Sequence, residues 1–140
     1  MATCLVLTNP YAYGHGLARA LNVAQEGQAP LRVVFFIDLP GIRDLVEDLG
    51  EKGWLGPGSV RTLEEAMRAG YRALAEDVLT EIQRRTQEAG VPAEFLVEEG
   101  DLVRYVHTLV HQGGCKVLIS GGRPLSDRLQ GILGIEVVPE

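Results

Sequence analysis

The sequence predicts an α/β fold, an open five-stranded, mostly parallel sheet with helices on both faces, and three observations carry that expectation. Short Val- and Leu-rich runs alternate with stretches of helical spacing along the whole chain. Several of these runs are continuously apolar, as strands covered on both faces are. With 140 residues, 46% of them hydrophobic, the chain is the size of one domain with a substantial core, so residues 1–140 are expected to fold as a unit.

The first strand is expected at 3–8 (TCLVLT). Leu17, Ala20, Leu21 and Ala24 then recur at helical spacing until Gly27 stops the helix. The second strand is LRVVFFI at 31–37. After it comes an inserted segment at about 39–60, longer than a crossover loop needs. Ile42, Leu45, Val46 and Leu49 have helical spacing inside it, and Trp54-Leu55 follow. The segment reads as a short helix that packs Trp54 onto the domain edge, as a lid over the strand ends, or as a contact surface for a second subunit.

Leu63, Met67, Tyr71, Leu74, Val78 and Ile82 form one stripe of a long helix, with Thr62 and Glu65 spaced as a capping box and Gly90 at its end. AEFLV at 93–97 is the third strand. Asp101 is placed to cap a helix carrying Val103, Val106, Leu109 and Val110, which Gly113 and Gly114 close. KVLIS at 116–120 is the fourth strand. Leu125, Leu129, Ile132 and Leu133 make a short helix, and IEVVP at 135–139 is the last strand.

In such a sheet, ligands gather at the carboxyl ends of the strands, here residues 8–16, 38–41, 97–101 and 120–124. A net charge of −6 without any Lys/Arg cluster argues against nucleic acid as a partner. No apolar run approaches the length needed to cross a bilayer, and MATCLVLTNP lacks a basic leader and a cleavage site, so no membrane association and a cytoplasmic location are expected. Cys4 and Cys115 read as buried free thiols.

From Leu63 onward the layout resembles the universal stress protein family. The residues that carry the likeness are EAGVPAEFLVEEGD (Glu88 to Asp101), the helix that starts at that Gly-Asp, and GGCKVLISGGR (113–123). The resemblance implies an adenine nucleotide alpha hydrolase-like fold, a regulatory or stress-response role without catalysis, and a homodimer. Members that bind ATP have an aspartate at the end of the first strand and a Gly-x2-Gly-x9-Gly-Ser/Thr loop after the fourth. This chain departs from both. Its first strand ends Thr8-Asn9-Pro10, Pro124 stands three residues after Gly121, and Ile135 follows Gly134. If most of the nine-residue loop is missing, Leu125 to Leu133 corresponds to the family's last helix.

A phosphate cradle needs several inward-pointing N–H groups, and proline removes one while suiting the first turn of a helix. The turn after the fourth strand therefore reads as a Gly-Gly bend into a proline-started helix. The other reading is a reduced anion site, in which the amides of Gly121 and Gly122 and the Arg123 guanidinium hold one phosphate or sulfate. Tyr11 and Tyr13 could flank a planar base and His15 could contact an anion, or the loop merely packs its tyrosines on its neighbours. The candidate ligand residues are thus Thr8, Asn9, Tyr11, His15, Asp38, Gly121, Gly122 and Arg123, for a small anion, AMP or ATP.

No catalytic or metal site is expected. His107 and His111 share a helix face but lack further ligands nearby. Ser120 and Ser126 lack a nucleophile-elbow context. Three functional classes follow. The first is a regulatory module with weakened or lost ATP binding and no required cofactor, paired through its fifth strand, whose end Pro139 and Glu140 blunt. The second is a nucleotide- or anion-binding protein. The third is a small sulfur-relay enzyme, against which Cys4 and Cys115 stand at the wrong places on their strands.

Overall fold

The structure is a computed structural model that describes residues 1–51, 53 and 56–140. The expected packing of Trp54 lies outside the described residues. The strands are β1 (Ala2–Leu7), β2 (Leu31–Asp38), β3 (Ala93–Gly100), β4 (Cys115–Ser120) and β5 (Ile135–Val138). The helices are α1 (Gly14–Gly27), α2 (Leu39–Glu51), α3 (Pro57–Ala89), α4 (Leu102–Gln112) and α5 (Arg123–Arg128). The strands form one sheet in the order β3-β2-β1-β4-β5, with every pairing parallel.

Two apolar layers hold the sheet. On one face Leu5, Leu7, Val33, Phe35, Ile37 and Leu118 pack with Leu17 and Ala20 of α1, Val46 of α2 and Ile82 of α3. On the other, Cys4, Val6, Val34, Phe36, Val117 and Ile119 meet Leu102, Val106 and Leu109 of α4 and Leu129. Double coverage explains why β1 is a continuous apolar run. β3 differs: its burial alternates, and Glu94, Leu96 and Glu98 are exposed on the α4 side of the sheet, beyond the strands that α4 covers. It is an edge strand covered by α3 on one side only.

The inserted segment supplies α2, which buries Ile42 and Val46, one helical turn apart, against the α1/α3 layer. α3 begins at Pro57, earlier than the expected capping box. Thr62 lies inside the helix and its hydroxyl donates to the Gly58 carbonyl at 3.0 Å, so no box forms at Thr62-Glu65. Pro57 sets the first-turn dihedral, and Val60, Leu63 and Met67 continue the stripe into the core, which draws the helix back to Gly56. The last helix is shorter than expected. It ends at Arg128, and turns run through Gly131 and Gly134, both at positive φ, into β5. Leu129 is still buried and Ile132 packs on the α4 layer, whereas Leu133 is exposed.

The order 3-2-1-4-5 means that the chain leaves β1 toward β2 through α1 and returns from β3 to β4 through α4, across the opposite face. The direction of winding reverses between β1 and β4, and a crevice opens outside their carboxyl ends.

Candidate functional site at the carboxyl edge of the sheet

Three clusters of polar groups line the carboxyl edge. The first is in the crevice between β1 and β4. α1 starts there, and its N-cap residue, Tyr13, gives it no side-chain cap. Two N–H groups of the first turn are satisfied instead by Glu140. His15 N–H donates to Glu140 Oε1 at 3.0 Å, and Gly16 N–H donates to Oε2 at 2.7 Å. The Ser120 hydroxyl at the end of β4 donates to the same Oε2 at 2.7 Å. A carboxylate at a helix N-terminus gains from charge-assisted hydrogen bonds and from the helix dipole together. Only 9% of the Glu140 side chain is exposed.

Gly16 makes this approach possible. A Cβ there would stand 2.6 Å from Ser120 Cβ and 3.1 Å from Glu140 Oε2. The segment around Glu140 is held to α1 at further points. His15 Nδ1 lies 3.1 Å from the Pro139 carbonyl oxygen, which can only accept, so that nitrogen carries the hydrogen. Arg19 makes a two-point ion pair with Glu136 at 2.8 and 3.2 Å, and this bond holds the Glu136 carboxyl below its usual range.

The second cluster is the turn from β4 into α5. Gly121 N–H donates to the Val138 carbonyl of β5 at 3.1 Å and so takes part in sheet closure. The Leu125 side chain packs directly over Gly121, in the space a Cβ would need. Gly122 is the N-cap of α5, its carbonyl accepts from Leu125 and Ser126, and Pro124 occupies the first turn. Strand, Gly-Gly bend and proline-started helix are all present. Gly122 and Arg123 are exposed.

The third cluster centres on Asp38 at the end of β2, whose side chain is 14% exposed. Oδ1 accepts from the Leu102 N–H at the start of α4 at 3.3 Å, and Oδ2 accepts from Arg128 Nη1 at 2.6 Å. The carboxylate therefore ties β2 to α4 and α5. Beside it is a pocket of about 160 Å³ lined by Thr8, Asp38, Gly41, Leu45, Met67 and Tyr71, among others. Asn9 closes an Asx turn by accepting from Tyr11 N–H at 2.8 Å. Tyr11 is 81% exposed, while Tyr13 packs on the core.

The sequence-predicted residues are thus divided. Thr8 and Asp38 share a pocket, His15 stands at the α1 terminus, Gly121 to Arg123 form the β4–α5 turn, and Asn9 and Tyr11 shape the loop between. Glu140, Gly16, Ser120 and Arg128 were not among the candidates, although they make the closest polar contacts at this edge. Gly16, as one of two glycines flanking His15, and Ser120, as the first residue of the edge segment 120–124, carried a signal, whereas Glu140 and Arg128 carried none as site residues.

A pocket of about 470 Å³ opens at the opposite, amino edge, where Cys4, Leu31, Arg32, Leu109 and Cys115 contribute to its lining. Burial first, and then the neighbouring Cys115, push the Cys4 thiol up to about 12. Such a thiol stays protonated and unreactive near neutral pH. His107 and His111 are exposed on α4, and among the described residues no cluster of three or more metal-ligating side chains forms. No helix among the described residues is long and apolar enough to cross a membrane.

No family model and no curated protein matches this sequence. Solved structures do match its fold. A protein from the universal stress protein family of Burkholderia pseudomallei superposes with a TM-score of 0.62 at 21% identity, covering 99% of this chain and 96% of that one. The hypothetical protein MJ0577, subject of a structure-based assignment of biochemical function, superposes with a TM-score of 0.62 at 11% identity and the same 99% and 96% coverage. At these identities the likeness is one of fold, and fold alone does not assign an activity. The chain has the α/β fold of universal stress protein structures, a five-stranded parallel sheet wrapped by helices on both faces.

Proposed function

We propose that this chain is a divergent universal stress protein-like regulatory or stress-response module, without catalysis of its own, that does not grip a nucleoside triphosphate. The observation that carries the reading is the fate of the hydrogen-bond donors at the carboxyl edge. A triphosphate tail needs several converging N–H groups. Here Gly121 N–H is committed to Val138, Pro124 has none to offer, and Leu125 fills the space over Gly121. The amides at the start of α1 and the Ser120 hydroxyl already serve Glu140. Asp38, the carboxylate nearest the small pocket, is engaged by Arg128 and Leu102.

The partner in this reading is a second copy of the chain, paired along the edge strand β5. Light scattering at high concentration is expected to give a dimer, and a strict monomer would remove that part. Calorimetry tests the ligand side. With ATP, AMP and inorganic phosphate in turn, no heat of binding is expected up to about millimolar concentrations, the weak end of specific affinity. Saturable heat with ATP would replace this reading with that of a nucleotide-binding protein.

A further inference from the structure

We propose that Cys4 and Cys115, at the amino edge of the sheet, form a two-thiolate site for a soft monovalent metal ion of the Cu(I) type. The site is at the opposite end of the strands from the carboxyl-edge clusters and does not depend on the regulatory reading.

The placement follows from strand register. Ala2 of β1 pairs with Cys115 of β4, and Cys4 pairs with Val117. Cys115 is thus two residues from the partner of Cys4, and side chains two residues apart share a face. Both thiols belong to the α4 side of the sheet, Cys4 buried in that layer and Cys115 packed against it. Both also line the amino-edge pocket of about 470 Å³. With parallel strands about 4.8 Å apart and a rise of about 3.3 Å per residue, the two Cα atoms are separated by about 8 Å. A disulfide reaches across at most about 7 Å without backbone movement, so the pair is not placed for direct oxidation. A single ion between the sulfurs suits the wider gap. A thiolate bond of the length zinc makes is about 2.3 Å, so two in line hold the sulfurs about 4.5 Å apart, against about 2 Å in a disulfide.

The number of ligands selects the ion. Among the described residues no group of three or more His, Cys, Asp or Glu side chains comes together, so the four ligands of a structural zinc site are not assembled here. Thiolates favour Cu(I), a closed-shell ion that two collinear sulfurs satisfy. The pocket supplies the entry path. Cys115 is partly exposed and Cys4 only 1% exposed, so an arriving ion meets Cys115 first and then closes onto Cys4. Each thiol releases its proton to solvent as its sulfur bonds the ion, and one monovalent cation with two thiolates carries a single negative charge. Burial keeps the metal-free Cys4 protonated, while Arg32, in the wall of the same pocket, acts in the opposite direction by favouring the thiolate. The same guanidinium offsets the charge of the loaded site.

The test titrates the whole reduced chain, without oxygen, with Cu(I) supplied from a chromophoric chelator whose colour reads the ion taken up. One ion per chain is expected, and X-ray absorption on the wild type should find two sulfurs around the metal. Cys4→Ala and Cys115→Ala should each weaken binding by more than the about tenfold to hundredfold that changes outside the ligand shell cost. One equivalent of the ion should also suppress iodoacetamide labelling of Cys115, and excess zinc should not displace it. Uptake unchanged in a folded Cys4→Ala would leave Cys115 as the sole ligand and overturn the proposal. So would one ion per two chains, with light scattering showing that it joins two copies, or displacement by zinc. No uptake by the wild type, or a metal shell other than two sulfurs, overturns it whether or not the variants fold.

Discussion

Two glycines in the first turn of α1, Gly14 and Gly16, should respond in opposite ways to the same substitution. Alanine is the better helix former, so a Gly→Ala change gains up to ~1 kcal/mol in a helix interior and less in the first turn. At Gly14 nothing lies within 4 Å of the added Cβ. Gly14→Ala is therefore expected to leave stability unchanged or raise it by a few tenths of a kcal/mol. At Gly16 the added carbon would stand 2.6 Å from Ser120 Cβ, a separation well inside contact distance. Overpacking of this kind typically costs ~1–3 kcal/mol, and subtracting the helix gain leaves a net loss of ~1–2 kcal/mol. Urea unfolding followed by circular dichroism should place the Gly16→Ala midpoint ~0.5–1 M below wild type, at unchanged slope. Equal midpoints for the two variants would show that α1 does not sit on the end of β4, and the geometry around Glu140 would fall with it.

The Asp38 carboxylate serves one ion pair and one helix terminus, so Asp38→Ala should cost ~1–2 kcal/mol in the same assay. Arg128→Leu should cost less, because the guanidinium is 41% exposed and screened by water; the reverse order would mean that the α4 contact contributes nothing. Glu99 accepts from Arg68 and Arg72, each at 2.9 Å. Partial burial pushes its carboxyl up, but the two arginines outweigh that and hold it below the ordinary 4.5. A depressed folded-state value gives stability that is fully present above about pH 4.5 and is lost as pH falls below that through the lower folded-state value. Glu99→Gln should thus be less stable than wild type at neutral pH, and the gap should close toward pH 3, whereas a pH-independent gap would contradict the assignment. Iodoacetamide at pH 8 should modify Cys115 in the folded protein and reach Cys4, only 1% exposed, after denaturant is added. Mass spectrometry reads both sites, and rapid labelling of Cys4 in the native state would refute its placement.

Much of the fold was legible because it rests on local pattern. β1, β2 and β4 are buried on both sides and show it as unbroken apolar runs, and Ile42 and Val46 announce α2 by lying four residues apart. The Asp101 cap is present, its side chain accepting from Arg104 N–H at 3.2 Å. The start of α3 was misplaced because Thr62 and Glu65 satisfy a local rule that packing overrode, the stripe at Val60 and Leu63 being needed by the core. The glycines at 131 and 134 cut the last helix short, although Leu129 and Ile132 keep helical spacing.

The candidate site was less legible. The edge of the sheet on which polar groups would gather follows from strand order, but the partners do not. Glu140 reaches His15 and Gly16 across 125 and 124 positions of sequence, and no periodicity or motif encodes such a contact. At the sequence level Pro139 and Glu140 looked like the blunted end of an edge strand. In the fold they turn back onto α1, because its first turn has unmet donors and no cap of its own.

The central claim, that this edge does not hold a triphosphate, is tested most directly by titrating the unmodified chain with magnesium-ATP while following the amide signals of Gly121, Gly122 and Arg123. The expected result is that all three stay in place up to millimolar nucleotide. Saturable movement of the three together, with Gly121 released from Val138, would contradict it.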